Sequence, residues 1–341
     1  MRTRIFGKVF GIVALVAVLI GIGTAGTAQA VPFTLGDIFA SVGNGLVKEF
    51  TPAGVLVQTL NSTTGASEMT GSAFDSAGNF FVTGFGTSTL SKFNNSGVLQ
   101  SANFIAPNNP TNNESLVFDS VGNFYVGGAG GNIIRKFNSA GGLLDTFTVT
   151  RSRGSDWIDL AADQKTLFYT TEDGTVRRFD TSTNTQLANF TSTLGGTSYA
   201  IRLLSDGGAL VAHTSNVLRL DSTGAVVTTY TIPGGTSLFA LNLDPDGTTF
   251  WTGNIDSIGR VFHVRISDGV VLGFFDTVSP GGNDLAGLSI FGEITQGCGT
   301  NCGGGGGTVP EPATLLLLGS GLIVTIAVRR RARRSASDSR A

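Results

Sequence analysis

The chain has 341 residues; 49 are glycine and only 13% are charged. Glycine at about twice its ordinary ~7% share, without a G-X-Y period, excludes collagen, and 41% hydrophobic residues exclude wholesale disorder. The net charge of −2 averages unlike pieces: residues 31–310 carry 13 basic and 22 acidic side chains, a net −9, between two basic ends. An acidic body has no electrostatic footprint for nucleic acid. The 2 cysteines and 2 histidines lie far apart, so a four-ligand Cys/His zinc site would need all of them at once.

Residues 1–30 read as a secretory signal peptide. Arg2, Arg4 and Lys8 form its basic start, Val9 to Ile22 its apolar stretch, and Ala28-Gln29-Ala30 an A-x-A cleavage site. The apolar stretch is short for a permanent anchor. Export implies an oxidising compartment.

The body, 31–293, repeats. Ala73-Phe-Asp-Ser-Ala-Gly-Asn-Phe-Phe-Val82 returns as Val117-Phe-Asp-Ser-Val-Gly-Asn-Phe-Tyr-Val126, and Asp75 to Asp119 is 44 residues. Further copies are read at Asp163, Ser205 and Asp244. A second element tracks the first: Lys92-Phe93-Asn94, Lys136-Phe137-Asn138, Arg178-Phe179-Asp180 and Arg219-Leu220-Asp221. Each repeat predicts four short strands; in the clearest, these are 116–118, 123–127, 133–137 and 143–149. Glycines between the strands supply turns with φ > 0.

Four strands every 40–45 residues is the period of a β-propeller blade. Five repeats are complete, at about 68–104, 112–150, 156–192, 198–232 and 237–278. Residues 37–60 match only the last three strands of a blade, and 284–291 match only the first. Together they predict a sixth blade that closes the ring and removes its open edges. The fold class is therefore all-β, a six-bladed β-propeller closed by its N- and C-terminal strands. The D-x-x-G-N-x-[FY]-V repeat resembles NHL-type six-bladed propellers, a motif that recurs across many functions.

A Cys/Gly-rich linker, 294–308, follows. Cys298 and Cys302 are four apart, which suits neither a C-x-x-C redox motif nor a usual zinc knuckle. In an exported protein this predicts a small disulfide loop, with a free thiol pair as the alternative. Next come Pro310-Glu311-Pro312, an apolar stretch over 313–328, and Arg329-Arg330-Arg331. The apolar stretch reads as a short membrane helix, and the arginines hold its end, with the tail 335–341, in the cytoplasm. This order over 309–334 resembles the PEP-CTERM sorting signal of Gram-negative bacteria. The resemblance implies recognition by an exosortase and transient anchoring in the inner membrane. It further implies release to the cell surface or outside, often among exopolysaccharide. The alternative is a simple C-terminal anchor.

Stacking the repeats yields a polar column seven residues before the Asp75 position: Glu68, Asn112, Asp156, Ser198, Ser237 and Asp284. It falls where the innermost strands start, at one mouth of the central channel. Three carboxylates and an amide there are oxygen donors suited to a hard cation such as Ca2+; a wet mouth is polar without any ion. His213 falls at the end of a second strand near the same mouth, where a base for neutral pH would sit. Trp157, beside Asp156, is the expected stacking platform for a sugar ring. His263 reads as structural.

Related six-bladed lactonases carry metal ligands nearer the glycine turn. The comparable positions here are Thr70, Glu114, Ile158, Ala200, Phe239 and Ala286, and only Glu114 could bind a metal. The residues Glu114-Ser-Leu-Val-Phe also carry Leu116 where such sites usually have proline. The expectation is an exported, non-catalytic binding or structural module with no cofactor beyond that Ca2+. Its expected partner is an exopolysaccharide or another surface polymer. The alternative is a metal-dependent hydrolase or lyase using Glu68, Glu114, Asp156, Asp284 and His213.

Overall fold

A computed structural model describes residues 30–106, 111–278 and 285–296. The signal peptide with Ala28, Asp284, Cys298, Cys302, Pro310, Glu311, Pro312 and the Arg329–Arg331 cluster lie outside the described residues. The chain divides into units 1–30 and 31–341, and the second holds everything below.

Six four-stranded antiparallel sheets form the blades. Blade 1 contains β1 (Ile38–Ser41), β2 (Leu46–Phe50) and β3 (Leu56–Asn61). Blade 2 is β4 (Glu68–Phe74), β5 (Phe80–Phe85), β6 (Thr89–Phe93) and β7 (Leu99–Ser101). Blade 3 is β8 (Asn113–Phe118), β9 (Phe124–Gly128), β10 (Ile133–Phe137) and β11 (Leu143–Thr148). Blade 4 is β12 (Ile158–Leu160), β13 (Thr166–Thr170), β14 (Val176–Asp180) and β15 (Thr185–Gln186). Blade 5 is β16 (Ser198–Leu203), β17 (Ala209–His213), β18 (Asn216–Leu220) and β19 (Val226–Thr231). Blade 6 is β20 (Leu238–Leu243), β21 (Thr249–Asn254), β22 (Arg260–Arg265) and β23 (Val271–Asp276). Finally, β24 (Gly287–Ile290) joins blade 1 as its innermost strand, with Ile38 opposite Ile290 and Ser41 opposite Gly287. The all-β, six-bladed ring closed by its two ends is as the repeats predict.

The repeated residues make turns. Asp75 Oδ1 accepts the backbone N–H groups of Ala77 (3.0 Å) and Asn79 (2.9 Å), and its Oδ2 accepts the Asn79 amide. Asp119 does the same for Val121 and Asn123. Gly78 and Gly122 then take φ of 77° and 85°, which a side chain opposes. Asn94 and Asn138 cap the turns between strands three and four in the same way. The most visible motif in the sequence is therefore turn chemistry on the lower face.

Turn hydrogen bonds also correct the repeat register. Asp75 N–H bonds to Asn79 and Gly78 N–H bonds back to Asp75; in blade 4 the residue so placed is Ala161, and in blade 5 Leu204. The sequence reading set these two blades late by two residues and by one, because no Asp-x-x-Gly occurs there. Gln164, at φ 64°, stands where the other blades use glycine.

Between the blades lie aromatic clusters. Phe33, Phe39, Phe74 and Phe291 interlock edge-to-face at 4.6–5.9 Å across the closing blade, an arrangement that adds to simple burial. Close packing of inner strands requires glycine at Gly71, where a Cβ would lie 2.5 Å from Ser115 Cα.

A candidate metal centre at the upper mouth

Innermost strands begin at the upper mouth, and four of them share one irregularity there. The register slips between Met69 and Ser72, Asn113 and Ser115, Ser198 and Ile201, and Leu238 and Ala240. Each slip is a β-bulge, which takes a residue out of the alternating pattern and re-aims its side chain. In blade 3 the bulged residue is Glu114. In blade 4 the corrected register puts Asp156 at the same place: Asp156 N–H bonds to Thr170 and Thr170 N–H bonds to Trp157. Glu114 and Asp156 are thus equivalent residues of neighbouring blades. The corrected column is Thr70, Glu114, Asp156, Tyr199 and Phe239.

Glu172 completes the group from the loop after β13. It sits at φ 57°, and the loop is pinned by Arg177, which donates to both carboxylate oxygens of Asp173 (2.8 and 2.6 Å) and to Thr171 Oγ1 (2.8 Å). Glu114, Asp156 and Glu172 each offer a carboxylate oxygen, all within 4.8 Å of one another. Glu114 is 2% exposed and Asp156 0%. Arg153, on the segment entering blade 4, pairs with Glu172.

The electrostatics follow from this crowding. Burial, then the charge of Asp156, pushes the Glu114 carboxyl well above the usual carboxylate range. Burial, then the charge of Glu172, raises Asp156 to about 6. Burial disfavours the Arg153 guanidinium, but the charges of Glu172, Glu114 and Asp156 outweigh it and raise its pKa.

Other predicted site residues are placed differently. Glu68 starts β4, half-buried, and Asn112 precedes β8 in a left-handed conformation, its N–H donated to Ser88 Oγ at 2.8 Å. Neither belongs to the acidic group. Trp157 is no stacking platform: it is 2% exposed and meets Phe239 edge-on at 5.6 Å. A blade 4 residue touching blade 6 packs the channel interior. His213 pairs with Ser198, Nδ1 to Oγ at 3.3 Å, and desolvation lowers its pKa against a Gly195 backbone bond. His263 stacks on Trp251 at 4.0 Å and bonds Asp244 at 2.7 Å, a structural role. Sequence reasoning undervalues Glu114, whose partner Asp156 is hidden by the two-residue slip, and does not single out Glu172, which comes from a loop outside the stacked repeat.

Residues 308–331 match the PEP-CTERM protein-sorting motif. That motif implies an exported protein sorted by an exosortase. No curated protein matches the chain in sequence. Among solved structures, the chain is similar to the WD40 β-propeller domain of Doa1, with TM-score 0.54 and 13% identity, covering 74% of this chain and 87% of that one. It is also similar to a chain of a nidogen/laminin complex, with TM-score 0.60 and 12% identity, covering 74% of this chain and 97% of that one. At such identities the likeness shows the propeller fold alone.

Proposed function

We propose that this protein is a cell-surface or extracellular-matrix propeller that works as a non-catalytic binding and structural module. It is delivered by its sorting tail and meets an exopolysaccharide or another surface polymer. The observation that carries the reading is the pairing of a PEP-CTERM motif at 308–331 with a closed ring. The ring's channel is crossed by the Trp157–Phe239 contact, which supports recognition by loops at the surface rather than in a tunnel.

Deleting 308–331 tests delivery: the protein is expected to stay in the cell envelope, and unchanged localisation would refute the sorting role. A glycan-array screen of the exported protein tests binding, and no polymer retained above background would remove that part. The second reading, a metal-dependent hydrolase or lyase, is favoured by the buried Glu114–Asp156 pair. Turnover of a lactone or polysaccharide that disappears in Glu114→Gln would replace the first reading with it.

A further inference from the structure

We propose that Glu114, Asp156 and Glu172 bind a divalent cation of the calcium class at the upper mouth, clamping blade 3 to blade 4. Burial of unpartnered acceptors carries the argument. Both oxygens of Asp156 and Oε2 of Glu114 are buried and find no donor from any other described residue, so the pair has only a proton shared between its two carboxyls to satisfy it. A buried acceptor left unpaired costs roughly 1–3 kcal/mol, and more when charged.

The lower mouth of the same channel shows how this ring treats carboxylates it uses as structure. Glu293 there accepts from Arg202, Asn242 and the Leu243 backbone, at 2.6–2.8 Å. Asp159 accepts the backbone N–H groups of Leu160 and Leu203. Those acids take donors from neighbouring blades; among the described residues Asp156 has only its own N–H and the Glu114 carboxyl, and the bulge of blade 3 with the start of blade 4 brings it and Glu114 together.

The donor chemistry selects the ion. All three side chains offer hard oxygen, which suits Ca2+, Mg2+ or Mn2+ over softer metals. Oxygens that all lie within 4.8 Å of one another can share one ion at a Ca–O distance of about 2.4 Å, and a loop-borne third ligand suits the flexible coordination of Ca2+ better than the strict octahedron of Mg2+. Two carboxylates are fixed by strands. Glu172 comes from a loop and is now held by half-exposed Arg153, which an incoming ion would displace. The cation site stands whatever polymer the upper face meets.

The test uses full-length protein purified in detergent, stripped with EDTA, dialysed and titrated with CaCl2 by calorimetry. One ion per chain is expected, with a dissociation constant on the order of 10⁻⁴ to 10⁻³ M, as in extracellular calcium modules. Glu114→Gln and Asp156→Asn should each weaken binding about tenfold or more, whereas Glu68→Gln, at the same mouth but outside the group, should leave it unchanged. If either core variant fails to fold, Glu172→Gln on the loop gives the same readout. No binding of Ca2+, Mg2+ or Mn2+ by the wild type at ~10 mM overturns the proposal. Binding that survives all three substitutions overturns it too.

Discussion

Arg202 donates its Nε–H to Glu293 Oε1 at 2.8 Å, joining blade 5 to the segment that follows the closing strand. Both side chains are under a tenth exposed. The same carboxylate takes the Asn242 amide (2.7 Å) and the Leu243 N–H (2.6 Å), so one residue past β24 holds blades 5 and 6.

Glu293→Ala should therefore cost more than an ordinary ion pair. It strands a buried guanidinium, and breaking one side of such a pair costs about 3–5 kcal/mol. Adding Arg202→Met should recover part of the loss, because the buried guanidinium, left with only the Asp159 charge to offset it, goes too. Urea midpoints of the three proteins check this; a loss below about 1 kcal/mol for Glu293→Ala would mean the pair is solvent-screened after all.

Glycine positions separate into two kinds. Gly71 lies where a Cβ would strike the Glu114 backbone, so Gly71→Ala should cost several kcal/mol or abolish folding. Gly122 has open space around it and only a left-handed backbone, so Gly122→Ala should cost about 1–2 kcal/mol. Thermal denaturation ranks them; equal costs would show that the inner strands separate easily.

Acid should stabilise the metal-free ring over the upper part of the pH range. Burial raises Glu49 to about 8, against help from the Gln58 amide, and raises Asp159 to about 6, against the charge of Arg202. The folded state then holds protons that the unfolded chain, near the ordinary 4.5 and 3.8, has released. Stability should rise as pH falls from about 8 towards 5, with Glu114 and Asp156 acting in the same sense. His213, whose pKa is lowered, opposes this below its ordinary 6.5. Melting temperatures in EDTA check the slope, and Glu49→Gln should flatten its portion above pH 7. A slope of the opposite sign would mean these carboxyls are solvated.

The only two tryptophans, Trp157 and Trp251, are each 2% exposed. Intrinsic emission should be blue-shifted and little quenched by iodide, and Trp157→Ala should cost about 3–5 kcal/mol through the cavity it leaves. Ready quenching that polymer relieves would restore Trp157 as a surface platform.

The ring was legible because blades repeat their turn residues. Asp75, Asp119, Gly78 and Gly122 mark the period, and the split blade follows from the unmatched ends. The site was harder, because its position is set by a β-bulge. A bulge adds a residue without any composition cue, so counting back from a turn misplaces the bulged side chain wherever the turn itself is irregular. Blade 4 has such a turn, with Ala161 and Gln164 in place of Asp and Gly, and Asp156 fell two positions from Glu114. Burial of Trp157 was invisible for a related reason: contact with Phe239 spans two blades and leaves no local pattern.

Phe33, near the start of the ring, donates its N–H to Asn95 and packs on Phe291, while Gln296 lies beside Ala161, Asp163 and Gly207. All of these neighbours belong to the turns of the lower face, so the ring's two ends leave on one side and Glu114 opens on the other. Neither Phe33 nor Gln296 borders the upper mouth, so a ligand could reach Glu114 and Asp156 without meeting either end of the described ring.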